Sequence, residues 1–157
     1  MTELPRYDEL PIDPTRPARS AWGVWGDDDE VGTINLLTPE RVRRARDLVQ
    51  RGAVFSLNWE LDQPDPAFLG RSALQHTVID LNVGTEDRYD GFYPQASSQW
   101  DALCHVAHPQ HGFYNGVERH EITGRRGSKL GIDTWARRGI VGRFVLIDVA
   151  RHREAMG

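Results

Sequence analysis

Apolar and polar positions along the 157-residue chain follow two periods, one helical and one of two residues. Val42, Ala45, Leu48 and Val49 recur at helical spacing, with Arg41, Arg43, Arg44 and Arg51 lying elsewhere on the same stretch. Thr38 is suited to cap this helix, Pro39 to open it and Glu40 to face the positive end of its dipole. Gly52 is a natural stop, so a helix is predicted from 39 to just before 52. The period then shortens. In "AVFSLNWEL" (53–61), Val54, Ser56 and Asn58 fall on one side and Phe55, Leu57 and Trp59 on the other, as in a strand. "LQHTVIDLNV" (74–83) is β-branched and predicts a second strand, with His76 inside it, and "RFVLIDVA" (143–150) predicts a third. "DQPDPAFLGRS" (62–72) reads as a loop and "GTEDRYDGFYPQASS" (84–98) as an irregular segment. "HEITG" and "GIDTWARRG" precede the last strand, the latter as a turn or short helix. Strands outnumber helices in this reading, and the expected fold class is mixed α/β.

Length and composition narrow the class. A hydrophobic content of 39% and a charged content of 27% belong to a soluble globular chain, and 157 residues suit one domain. Residues 1–20 carry Pro5, Pro11, Pro14 and Pro17 with few large apolar side chains, and are expected to form an extended arm ahead of a domain at 21–157. The net charge of −4, with both signs interspersed, argues against a nucleic-acid partner, which needs a clustered positive face. No apolar run reaches the roughly 20 residues of a membrane span, and the N-terminus lacks the build of a secretory signal. A lone Cys104 excludes an internal disulfide and suits a reducing compartment, so a cytoplasmic location is expected.

The densest chemistry lies in "QWDALCHVAHPQH" (99–111), where a loop is expected to enter a short helix or turn. On a helix, Asp101 and His105 would share one face, and could bind a divalent ion or act as an acid/base pair. An aspartate cap and a histidine bonded to a carbonyl explain the same spacing. His105, His108 and His111 could hold zinc, but Pro109 breaks regular helix between them, which favours polar loop residues. Cys104 reads as a small buried hydrophobe, because its neighbour His105 would point elsewhere. Ser97 and Ser98 lack a nucleophile elbow and read as turn or capping residues.

"WGDDDEVGTINLLTPERV", "QWDALCHV", "FYNG" and "LGIDTWARRGIVGRFVLIDV" occur in that order between Trp22 and Val149. Together they resemble the metal-dependent cyclase/hydrolase family that includes kynurenine formamidase (arylformamidase) and isatin hydrolase. The resemblance implies a swivelling β/β/α fold, incomplete in this chain, and hydrolysis of an amide or lactone bond, as in conversion of N-formylkynurenine to kynurenine in tryptophan catabolism. The family motif His-x-Gly-Thr-His-x-Asp-x-Pro-x-His, aligned on its aspartate and last histidine, falls on Gln95 to His105. Asp101 then matches the metal-binding aspartate and His105 the histidine placed as base. The two leading histidine ligands fall on Gln95 and Gln99, whose carboxamides are harder, weaker donors than imidazole, so manganese or magnesium becomes as plausible as zinc. Trp100, Tyr114 and Asn115 are the implied substrate-binding residues. The family's later half supplies a further histidine and glutamate to the metal; here only His152 and Glu154 could stand in. A small-molecule substrate with an amide or lactone carbonyl and a homo-oligomeric state are implied, with the arm wrapping a neighbour. Two other readings stay open: a catalytically incomplete binding module of the same family, and a metal-binding domain built on the histidine cluster.

Overall fold

The computed structural model describes residues 4–157, so the first three residues of the expected arm lie outside the described residues. Where one domain is expected, the chain divides into two compact units: residues up to 52 together with Leu103–Gly157, and Ala53–Ala102.

The first unit is organised by loops. Its buried centre is Phe113, Tyr114 and Leu130, against which Trp22, Leu103, Cys104, Ala107, Val117 and Ile122 pack. Helix α1 spans Pro39–Arg46, with the Thr38 hydroxyl accepting from the Arg41 amide at 3.3 Å, as its start signals predict. It ends earlier than the period suggests. Leu48 and Val49 are exposed beyond it, and no apolar stripe of the helix is buried. An eight-residue helix draws little stability from propensity alone, so the apolar pattern cannot extend it without something to pack against. Helix α2 spans Ile132–Arg138, an expected turn or helix. Asp133 and Arg137 bridge at 2.7 Å on its surface, and Gly139 ends it with a φ of 77°. Helix α3 spans Val149–Met156, opened by Asp148, whose carboxylate accepts from the Arg151 amide at 2.9 Å.

The third predicted strand is therefore corrected twice. Residues 149–150 belong to α3, and 143–147 are in no ladder among the described residues. Asp148 followed by Val, Ala, Arg, His, Arg and Glu is a helix signal that the preceding apolar run masks.

The second unit holds the only sheet among the described residues, an antiparallel hairpin of β1 (Gln75–Asp80) and β2 (Thr85–Asp90). β1 lies where predicted. β2 falls in the segment read as irregular, because "TEDRYD" has no apolar alternation; its ladder to β1, not burial, makes it a strand. Residues 53–61 form no ladder, and Val54, Phe55, Leu57 and Trp59 are exposed. Mixed helix and strand is the class observed, but three α-helices outnumber two strands among the described residues, the reverse of the expectation.

Candidate functional site

Residues 99–107 contain turns and bends and no helix, so Asp101 and His105 do not share a helical face. The boundary between the units falls between them, at Ala102 and Leu103, so Asp101 belongs to one unit and His105 to the other. Within the second unit, the Gln99 carboxamide Nε2 donates to the Asp101 carboxylate at 2.6 Å. Gln99 is half-buried, Asp101 and Trp100 exposed, and Gln95 half-buried in a single 3₁₀ turn, Pro94–Ala96. The two serines behave as turn residues. Ser98 accepts from the Trp59 amide at 2.9 Å, and Ser97 donates to the Glu60 carbonyl at 2.8 Å, which ties the loop to residues 59–60.

The histidine cluster is a tight loop. His108 and Gly112 form an isolated bridge, with amide-to-carbonyl distances of 2.8 and 3.1 Å in the two directions. His108 Nδ1 accepts from the Gln110 amide, and the His108 and His111 rings lie 4.7 Å apart. Trp22 meets His111 edge-on. Cys104 packs against the core but is only half-buried, where a buried small hydrophobe is expected. His76, on β1, contacts Asp87 through Nε2 at 2.6 Å and stacks on Tyr89 across the hairpin.

Tyr114 and Asn115 sit in a network that the sequence did not reveal. The Tyr114 hydroxyl donates to Asp29 at 2.9 Å, and the same carboxylate accepts from the Gly32 amide and the Asn35 carboxamide, both at 2.7 Å. Burial first, and then the hydrogen bond to Asp29, hold the Tyr114 phenol well above its usual range. Asn115 adopts a φ of 56°, and its Nδ2 reaches the carbonyls of Gly26, Asp27 and Asp29, while its Oδ1 accepts from the Gly23 amide at 2.9 Å. Arg16 links Asp27, at 2.6 Å, to the Asn115 oxygen. Asp29 and Asn35 lie six residues apart, and the returning chain at 114–115 makes them a centre. Glu30 accepts from the Leu130 amide at 2.6 Å, and Trp135 donates to the Val31 carbonyl at 3.1 Å.

No three His, Cys, Asp or Glu side chains among the described residues converge in a way that could hold a metal ion. Gln99 and Asp101 are two adjoining donors that can each offer oxygen. They fit part of the shell of a hard divalent ion such as manganese or magnesium, and suit zinc less well.

Comparison with solved structures finds a crystal structure described as that of a novel cyclase. It is 33% identical over a region covering 86% of this chain, with a TM-score of 0.76. The chain shares a cyclase's fold. It spans 50% of that cyclase's length. No family model matches the chain, and no curated protein sequence does. No helix among the described residues is long and apolar enough to cross a membrane.

Proposed function

We propose that the chain is the N-terminal portion of a cyclase-family hydrolase with the swivelling β/β/α fold, acting on an amide or lactone bond in the manner of an arylformamidase. The observation that supports this most is the likeness in fold and sequence to the solved cyclase over 86% of the chain. In this reading Asp101, Gln99 and Gln95 contribute oxygen donors to a divalent ion, manganese or zinc, completed by groups beyond those that converge here. Such an ion, when bound, polarises a carbonyl and makes water nucleophilic near neutral pH. Gln99 orients the carboxylate through its 2.6 Å hydrogen bond, and turning its amide about the last bond would offer Oε1 instead of Nε2. His105 passes a proton to the leaving amine. Trp100, Tyr114 and Asn115 are the substrate-binding residues of this reading. Trp100 offers an exposed ring to a ring-bearing substrate, and Tyr114 and Asn115 act from a loop whose shape their own hydrogen bonds hold. N-formylkynurenine is the first substrate to try, and a cytoplasmic homo-oligomer is the expected state.

The test is metal stoichiometry after dialysis against manganese or zinc, followed by a formamide and lactone hydrolysis assay. The native chain should retain metal and Asp101→Ala should lose it, while His108→Ala should keep it. Loss on His108→Ala alone would move the site to the histidine cluster. A second reading, a non-catalytic binding module, draws support from Gln95 and Gln99, which stand where the family motif has histidine ligands. It predicts no metal in any variant.

A further inference from the structure

Residues 4–12 and 24–41, both in the first unit, line a cavity of about 810 Å³, a volume within the range of small-molecule sites. Its walls are largely apolar and include Leu4, Ile12, Val24, Trp25 and Leu36. Leu4 is 44% and Ile12 50% exposed, so the side chains that line the cavity do not cover one another. The arm is tied down beside it. Arg19 donates to the Tyr7 carbonyl at 3.2 Å, and its guanidinium lies 5.4 Å from the centre of the Tyr7 ring. The single 3₁₀ turn Tyr7–Glu9 is closed by the Glu9 carboxylate, which accepts from the Arg6 amide at 2.6 Å.

The polar groups of the lining are unequally engaged. The Arg6 guanidinium bridges to Asp8 at 2.9 Å, the Asn35 carboxamide nitrogen donates to Asp29, and the Thr38 hydroxyl caps α1. Arg41 makes no ion pair among the described residues, and it also borders a neighbouring groove with Arg44 and Arg143. Arg6 and Arg41 against Glu9 leave the lining one positive charge in excess. We infer that the cavity binds an amphipathic monocarboxylate, with its carboxylate on the Arg41 guanidinium and its chain along the apolar walls. A guanidinium meets a carboxylate through two parallel hydrogen bonds, each stronger than a neutral one. Walls that are aliphatic except for one indole suit a flexible alkyl chain better than a planar ring. Glu9 in the same lining opposes a second negative charge, which disfavours a phosphate monoester or a dicarboxylate. Gln99 and Asp101 belong to the other unit, so this site does not rest on the proposed hydrolase chemistry.

The test is calorimetric titration of the full chain with decanoate below its micelle-forming concentration, beside decanol, which keeps the chain and lacks the charge. One decanoate should bind per chain, with decanol at least ~10-fold weaker. Arg41→Gln should weaken decanoate by ~10-fold or more and leave decanol unchanged. Arg43→Gln, on the same helix but outside the cavity, should bind decanoate as the native chain does. Ile12→Asp sets a negative charge in the wall and should abolish decanoate binding. Because Ile12 is half-exposed, that variant should keep the native circular dichroism; if it unfolds, Arg41→Gln and decanol still decide. Four results overturn the inference. They are no binding at ~1 mM decanoate, equal affinity for decanoate and decanol, and an Arg43→Gln loss as large as that of Arg41→Gln. The fourth is several decanoates per chain that bind Arg41→Gln unchanged, which is adsorption to exposed apolar surface.

Discussion

The loop network around Asn115 and the β1–β2 hairpin reverse the usual relation between regular structure and burial. The hairpin has a full antiparallel ladder from Gln75↔Asp90 to Asp80↔Thr85, yet none of its side chains is buried. The segments 20–36 and 113–138 contain only short 3₁₀ turns and one seven-residue helix, yet they carry the buried centre. Side chains replace the ladder there. The Asn115 carboxamide accepts from one amide and shares its two N–H groups among three carbonyls of a loop that has no helix or strand to satisfy them. A partly buried backbone group left unpaired costs more than an exposed hydrogen bond contributes, so stability should concentrate in the irregular region.

Breaking the network should therefore have the largest effect. Asn115→Ala removes the partner of the part-buried Gly23 amide and Asp29 carbonyl and places alanine at a φ of 56°, and should cost about 3 kcal/mol in urea unfolding followed by tryptophan fluorescence. A loss below about 1 kcal/mol would mean that water satisfies the loop equally well. Tyr114→Phe removes one bond to Asp29 and keeps those from Gly32 and Asn35, so about 1 kcal/mol is expected.

The same residue sharpens the comparison through pH. Burial raises the Tyr114 pKa in the folded chain, so the phenol of the unfolded chain ionises first, near pH ~10. The stability that Tyr114 contributes is complete below that pH and is lost as pH rises further, because the unfolded state then holds fewer protons than the folded. Alkaline titration of unfolding should show this decline in the native chain, and a shallower one in Tyr114→Phe. The smallest effect belongs to the hairpin. Asp87→Asn weakens an exposed contact with His76 and should change stability by less than about 0.5 kcal/mol.

The candidate site was legible to different depths. Gln99 and Asp101 lie two residues apart, and their contact needs only a local turn. The expected helical relation of Asp101 to His105 failed because a period of four describes a face only where the backbone is helical, and residues 99–107 are not. Tyr114 and Asn115 stood out in the sequence as a short "FYNG" block, but their partner Asp29 is some 85 residues away, beyond any periodicity.

What the sequence determined by itself is local. The start of α1 at Thr38–Pro39, α2 ahead of Gly139 and β1 follow from caps, breakers and period, each a matter of a few neighbouring residues. Only the tertiary structure decided that α1 stops at Arg46, that "TEDRYD" is a strand, and that 53–61 and 143–147 join no ladder among the described residues. A hydrophobic pattern states what a segment is suited to pack against. Whether the segment becomes a helix or a strand depends on a partner being there, because burial and a completed ladder supply the free energy that pattern alone does not.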